Sequence, residues 1–324
     1  MSRALTFLAN WVNDAHGGVR ISSTQRKRLQ IVMVDDASSP ENAASITESL
    51  VSGKLLGRPI PLLLGPYSSE LTEAVAAVAN MTSATLMATA AAATSVFADR
   101  PRVFGLLPPA QTFLHVGIQQ LHDLGVKSVV FLQEELVASR DYCQGAVEKA
   151  RSLNMTIAGF ETVASGPNRT EIGAAIAKFH ALKPDAMVGC TITLALCKEV
   201  ITQAGTNESL PFYVKAMLFT TCVTAPDYFR QLGPDLGSFV LGVTPWFDTD
   251  TTPDELMSMS AAGFTALFAS ELRPHVSYQA AAALSGARLL VHAIEACGSV
   301  EPNLVARQVR MQQLHNARYS RDCG

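Results

Sequence analysis

The chain has 324 residues, enough for two α/β domains with a sizeable core. A net charge of −3, with 16% of residues charged, provides no basic face, which excludes nucleic acid as a partner. Hydrophobic residues make up 48%, yet no unbroken apolar run reaches the roughly 18 residues that a membrane span needs; residues 280–290 are interrupted by Ser285, Gly286 and Arg288.

Residues 1–9 have too short an apolar core for a signal peptide and run straight into Asn10, Trp11 and Asp14. Residues 29–34 read as a strand ending at Asp35-Asp36. Ser38-Ser39-Pro40-Glu41 then opens a helix through Leu50, because Pro just inside a helix start with an acid in the first turn is an N-terminal signal. The most telling stretch is residues 61–70. An apolar run stops at Gly65-Pro66, the pair Ser68-Ser69 follows, and a helical pattern opens at Leu71 with Val75 and Val78. Ser is a favoured N-cap, and a helix start offers unpaired N–H groups and a partial positive charge to an anion. A strand ending in such a turn is where open α/β sheets bind small ligands, although a simple capped helix would look the same.

The helix reaches about Thr82, and a strand follows near residues 84–88. Residues 103–109 are extended, carry Pro108 and Pro109, and suit a passage between domains. Strands then alternate with helices: helix 112–124, strand 128–132, helix 141–153, strand 156–160, helix 170–182, strand 186–190, helix 194–204, strand 212–216 and strand 239–243. A second crossing falls at residues 244–248. The remainder is helical, over 255–271, 278–296 and 302–314. This alternation predicts parallel sheets covered by helices. Two crossings predict that the last helices return to the first domain, with lobe 1 as residues 1–106 plus 247–324 and lobe 2 inserted as 107–246. A ligand would then sit in a cleft between hinged lobes.

Few single residues carry chemistry. Cys143, Cys190, Cys197, Cys222, Cys297 and Cys323 show neither CxxC nor zinc-site spacing, so no metal is expected. His115, His122, His180, His275, His292 and His315 lack i, i+4 partners and read as surface or packing residues. Glu134-Glu135 reads as a solvated loop, having no His or nucleophile nearby. Sequons at Asn80, Asn154, Asn168 and Asn207 lean toward a secreted setting. A dehydrogenase would need G-x-G-x-x-G after its first strand, and neither that loop, a G-x-S-x-G elbow nor a P-loop occurs. No cofactor is expected.

Several stretches together resemble the type I periplasmic binding-protein fold, in its leucine/isoleucine/valine-binding branch. They are the helix end with Asn13, Gly17, Gly18 and Val19; residues 31–41; residues 64–69; residues 103–109; Lys183-Pro184-Asp185-Ala186; and residues 278–298. Relatives of that branch include ligand-binding domains of some eukaryotic receptors. The resemblance implies two Rossmann-like lobes with parallel central sheets joined by a multi-strand hinge. It also implies a strand before the first helix and final strands after the last, which this sequence lacks, so a fragment is expected.

The resemblance further implies extracellular or periplasmic binding of a small solute without catalysis. In the family, the Ser-Ser helix start and the backbone after the next strand hold a ligand's carboxylate. Carried over, these are Ser68, Ser69, Ala88, Thr89 and Ala90, with a family Thr at Ala92 or Thr94. Ser69 is either a ligand contact or a plain cap. In lobe 2 the family's aromatic falls at Val137-Ala138 and its ammonium-binding acid at Lys215-Ala216. Lys215 would favour an anion or else be solvated. The expected ligand is therefore a small carboxylate or amide, or no tight ligand, rather than a free α-amino acid. Thr191 and Thr193 follow strand 186–190 as contacts or helix caps. Trp246, at the second crossing, either stacks on the ligand or packs. The implied partners are the small-molecule ligand, a membrane transporter or a fused receptor signalling domain, and a second copy through lobe 1.

Overall fold

Helix α1 (Ser2–His16) buries Ala4, Leu5, Leu8 and Val12, the inward stripe of an amphipathic helix. It stops at Gly17-Gly18, whose φ of 66° and 97° suits glycine, and the Gly18 N–H closes the end on Val12 O at 2.9 Å. A Cβ on Gly18 would overlap the Lys27 carbonyl. The chain then pairs β1 (Val19–Arg20) antiparallel with β2 (Arg26–Lys27). Helix α2 (Pro40–Val51) starts on Ser39, whose hydroxyl accepts from Asn42 N, with Pro40 in the first turn. The computed structural model describes residues 2–166, 168–206, 214–224, 228–237, 240–254, 259–272 and 276–319.

Two compact units result: residues 1–107 with 246–324, and residues 108–245. In the first unit β3 (Leu62–Leu64), α3 (Ser69–Thr82), β4 (Thr85–Ala88) and β5 (Val103–Gly105) build a three-stranded parallel sheet in the order β3-β4-β5. Residues 103–105, expected as part of a crossing, are thus a strand, because Val103 and Phe104 pair with Leu86 and Met87.

The run 29–34 lies outside any strand. The sheet ends at β3, and Leu29 is held by the Asn13 side chain, whose Nδ2 donates to Leu29 O at 2.9 Å and whose Oδ1 accepts from Leu29 N at 2.7 Å. A strand needs a ladder partner as well as apolar residues.

Past residue 253 come β11 (Pro253–Asp254) and β12 (Met259–Ser260), then α10 (Ala261–Leu272), α11 (Tyr278–Cys297) and α12 (Pro302–Tyr319). Residues 255–258, assigned to a helix from the sequence, lie outside the described residues, as do His275, Asn207 and Cys323. Helix α11 is capped by Ser277 and ended by Gly298 in the left-handed region. Its Ala280, Ala283, Leu284, Ala287, Leu290 and Val291 pack in the core with α1, α12, Met87 and Phe104. By length and composition α11 is long and apolar enough to cross a membrane, but the apolar face lies inside the unit, as for a core helix. Gly286 lets it approach closely: a Cβ there would sit 2.6 Å from Leu106 and 2.8 Å from Thr89.

The second unit opens with α4 (Ala110–Phe113) and α5 (His115–Asp123), one expected helix broken at Leu114. Next come β6 (Ser128–Glu134), α6 (Val137–Ser152), β7 (Thr156–Val163), α7 (Arg169–Leu182), β8 (Ala186–Cys190), α8 (Leu194–Thr206), β9 (Ala216–Phe219), α9 (Tyr228–Gly237) and β10 (Val240–Gly242). The sheet is parallel throughout, in the order β10-β9-β8-β6-β7. Val129, Val130, Phe131 and Leu132 are fully buried, as expected of an inner parallel strand covered on both faces. Strand β9 starts at Ala216, where the sequence reading ended it; Phe212 and Tyr213 lie outside the described residues.

Candidate functional site

The first unit's carboxyl-terminal sheet edge is built around the start of α3. After β3 the Gly65 N–H bonds Met87 O at 2.7 Å, and Thr89 Oγ1 donates to Gly65 O at 3.3 Å. Tyr67 and Ala90 form a further bridge. Ser68 caps α3, its Oγ accepting from Leu71 N at 3.3 Å, with its backbone at φ 103°, ψ 158°. Thr72, fully buried, donates to Ser68 O at 2.6 Å.

Ser69 differs from the simple expectation. It is buried, and its hydroxyl accepts from the N–H groups of Ala92 and Ala93, both at 3.2 Å. It is neither the helix cap nor an outward-reaching hydroxyl: it pins the loop after β4 against α3. Ala88 and Thr89 are fully buried and Ala90 nearly so. Thr94 stands exposed on the short turn Thr94–Val96. The residues therefore form a tied-down ledge of backbone at the positive end of α3, where the Leu71 and Thr72 N–H groups are already taken by Ser68 Oγ and Ser68 O. Sequence reasoning missed one member of the edge. Tyr67, partly exposed, has its hydroxyl 2.9 Å from that of Tyr278 at the start of α11. The signal was Tyr67 itself, between Pro66 and Ser68.

At the same edge of the second unit, Val137 opens α6 and is partly exposed. Thr191 is fully buried. Its hydroxyl lies 3.5 Å from Cys222 Sγ and its carbonyl accepts from Thr220 Oγ1. Thr193 Oγ1 donates to Glu134 Oε1 at 2.9 Å. Both threonines are thus engaged within the unit, because the β6 and β9 ends crowd the β8 end. Glu134, expected in a solvated loop, is fully buried, whereas Glu135 is exposed. Disulfides Cys143–Cys190 and Cys197–Cys222 fasten the end of β8 to α6, and α8 to the turn after β9.

Lys215 belongs to the opposite edge. It precedes β9, and its Nζ lies 2.8 Å from Asp185 Oδ1, ahead of β8. Asp185 Oδ2 also accepts from the backbone of Lys127 and Ser128 at 2.9 and 3.0 Å. The Lys215 bond, then those two N–H groups, hold its carboxyl down at about 2. Lys215 thus stands away from the strand ends where a ligand would bind and does not favour an anion there over an α-amino acid. Trp246 is half-buried and packs against the first unit's core, edge-on to Phe264 with centroids 5.6 Å apart. Among the described residues no group of three or more His, Cys, Asp or Glu could hold a metal.

A family model described as periplasmic binding protein matches residues 1–320. A comparison with curated proteins yields no match. Among solved structures the chain is similar to a leucine-binding protein from Thermotoga maritima, at 16% identity over 96% of this chain and 83% of that one, with a TM-score of 0.78. It is similar to a branched-chain amino acid transporter substrate-binding protein from Streptococcus pneumoniae in complex with isoleucine, at 18% identity over 95% and 81%, TM-score 0.77. A third is a solute-binding protein of an ABC transporter from Rhodopseudomonas palustris in complex with 3,4-dihydroxybenzoic acid, at 14% identity over 94% and 78%, TM-score 0.74. At these identities the likeness is one of fold.

Proposed function

The chain belongs to the periplasmic binding protein family, and on that premise we propose that it binds a small carboxylate-bearing solute, without catalysis, outside the cytoplasm. The observation that carries this reading is the ledge at the start of α3. Ser68 holds a costly backbone angle there, and Ser69 spends its hydroxyl on fixing the neighbouring loop. Preorganised N–H donors at a helix start suit an anionic group and need little ordering when it arrives. Leucine, isoleucine and dihydroxybenzoic acid, named with three similar structures, share a carboxyl group. The two disulfides fit an oxidising compartment. A membrane transporter is the partner that follows from the similar transporter components.

Thermal unfolding with leucine, isoleucine and 3,4-dihydroxybenzoate, each beside its methyl ester, tests this. A true ligand at 100 times its Kd adds about 2.7 kcal/mol, and its ester should add far less. Ser69→Ala, which frees the Ala92–Ala93 loop from α3, should weaken binding by about 0.5–1.5 kcal/mol, the scale of a neutral hydrogen bond. Esters that stabilise as well as the acids, or an unchanged affinity in a folded Ser69→Ala variant, would remove the ledge from the reading.

A further inference from the structure

Glu134 ends β6, is fully buried, and makes no ion pair among the described residues. Its carboxylate is nevertheless ringed by donors. Oε2 accepts from Ile192 N at 2.7 Å and Thr193 N at 3.2 Å; Oε1 accepts from Thr193 Oγ1 and Ser165 Oγ, each at 2.9 Å. The two N–H groups belong to the residues just before α8, at the positive end of that helix. The place matters as much as the geometry. From β6 the chain winds one way to β7 and the other way to β8, β9 and β10, so the ends of β6 and β8 flank the point where the strand order reverses. In open α/β sheets ligands bind outside that point. The second unit therefore contains a complete carboxylate seat at its reversal point, and its own Glu134 occupies it.

We infer that Glu134 is a specificity-determining residue. Filling the seat from within keeps a solute's acid group off this strand end. The consequence for solutes rests on the strand-end reading above; the seat itself does not.

Formate serves as the probe, with chloride at matched ionic strength, on the full chain. Wild type should gain less from formate over chloride than Glu134→Ala does, since the α3 ledge is common to both and only the variant has an empty seat. Glu134→Ala should melt several degrees lower, and formate should restore at least half of that loss in a saturable way. A Glu134→Ala variant that formate restores no better than chloride overturns the inference, as does a wild type that responds as the variant does. Should Glu134→Ala not fold, Glu134→Gln, which fills the same volume, still decides the matter. Its Ile192 and Thr193 amide protons should move upfield as the charged acceptor is lost, and unmoved resonances refute the seat. The solute reading fails separately, in the Ser69→Ala measurement.

Discussion

Ser68 sits at φ 103°, ψ 158°, a region that residues other than glycine occupy at a cost of about 1–3 kcal/mol. Its hydroxyl offsets part of that by capping α3. The two contributions separate by substitution. Ser68→Ala keeps the strain and loses the cap, and should lower stability by about 1 kcal/mol. Ser68→Gly relieves the strain, loses only a few tenths as a cap, and loosens the unfolded chain by about 0.5–1 kcal/mol. It should therefore be at least as stable as wild type. Urea unfolding of the three proteins checks the order, and equal stability of the Ala and Gly variants would show that the backbone is unstrained.

At the scale of elements, Asp185 ties the amino-terminal ends of three parallel strands. It precedes β8, accepts from Lys127 and Ser128 ahead of and at the start of β6, and pairs with Lys215 ahead of β9. Its carboxyl is lowered from the ordinary 3.8 to about 2. A group lowered on folding contributes stability that is complete above its unfolded value and disappears as pH falls toward its folded one. Wild type should therefore exceed Asp185→Asn in stability at pH 5, and the gap should close as pH falls from about 4 to about 2. A gap that stays constant down that range would mean that the Asp185 charge contributes nothing.

At the scale of the whole chain, both disulfides found among the described residues lie in the second unit and close loops of 47 and 25 residues. Loop-closure entropy gives each about 3–4 kcal/mol. The first unit relies on the core of α1, α11 and α12. Under reducing conditions, hydrogen exchange should lose protection first in β6, β8 and α8, while α11 and β4 keep theirs. Equal loss in α11 and β4 would show that the disulfides are not local to the second unit.

The features that the sequence determined alone are those whose causes lie within a few residues. Ser39 with Pro40, Ser277 and Gly298 mark helix ends because caps bond groups two to four residues away. Strand 186–190 is legible because an inner parallel strand is a continuous apolar run. From these the α/β class and the family likeness follow. Tertiary structure decided whatever depends on distant partners. Residues 212–219 are apolar on both sides of Lys215, so nothing local says where β9 starts; pairing with β8 places it after Lys215 and carries that lysine to the far edge. Residues 29–34 have a strand's composition and no ladder beside them. Glu134 looked solvated because its donors lie 31, 58 and 59 residues away, and only the fold brings Ser165, Ile192 and Thr193 to one carboxylate.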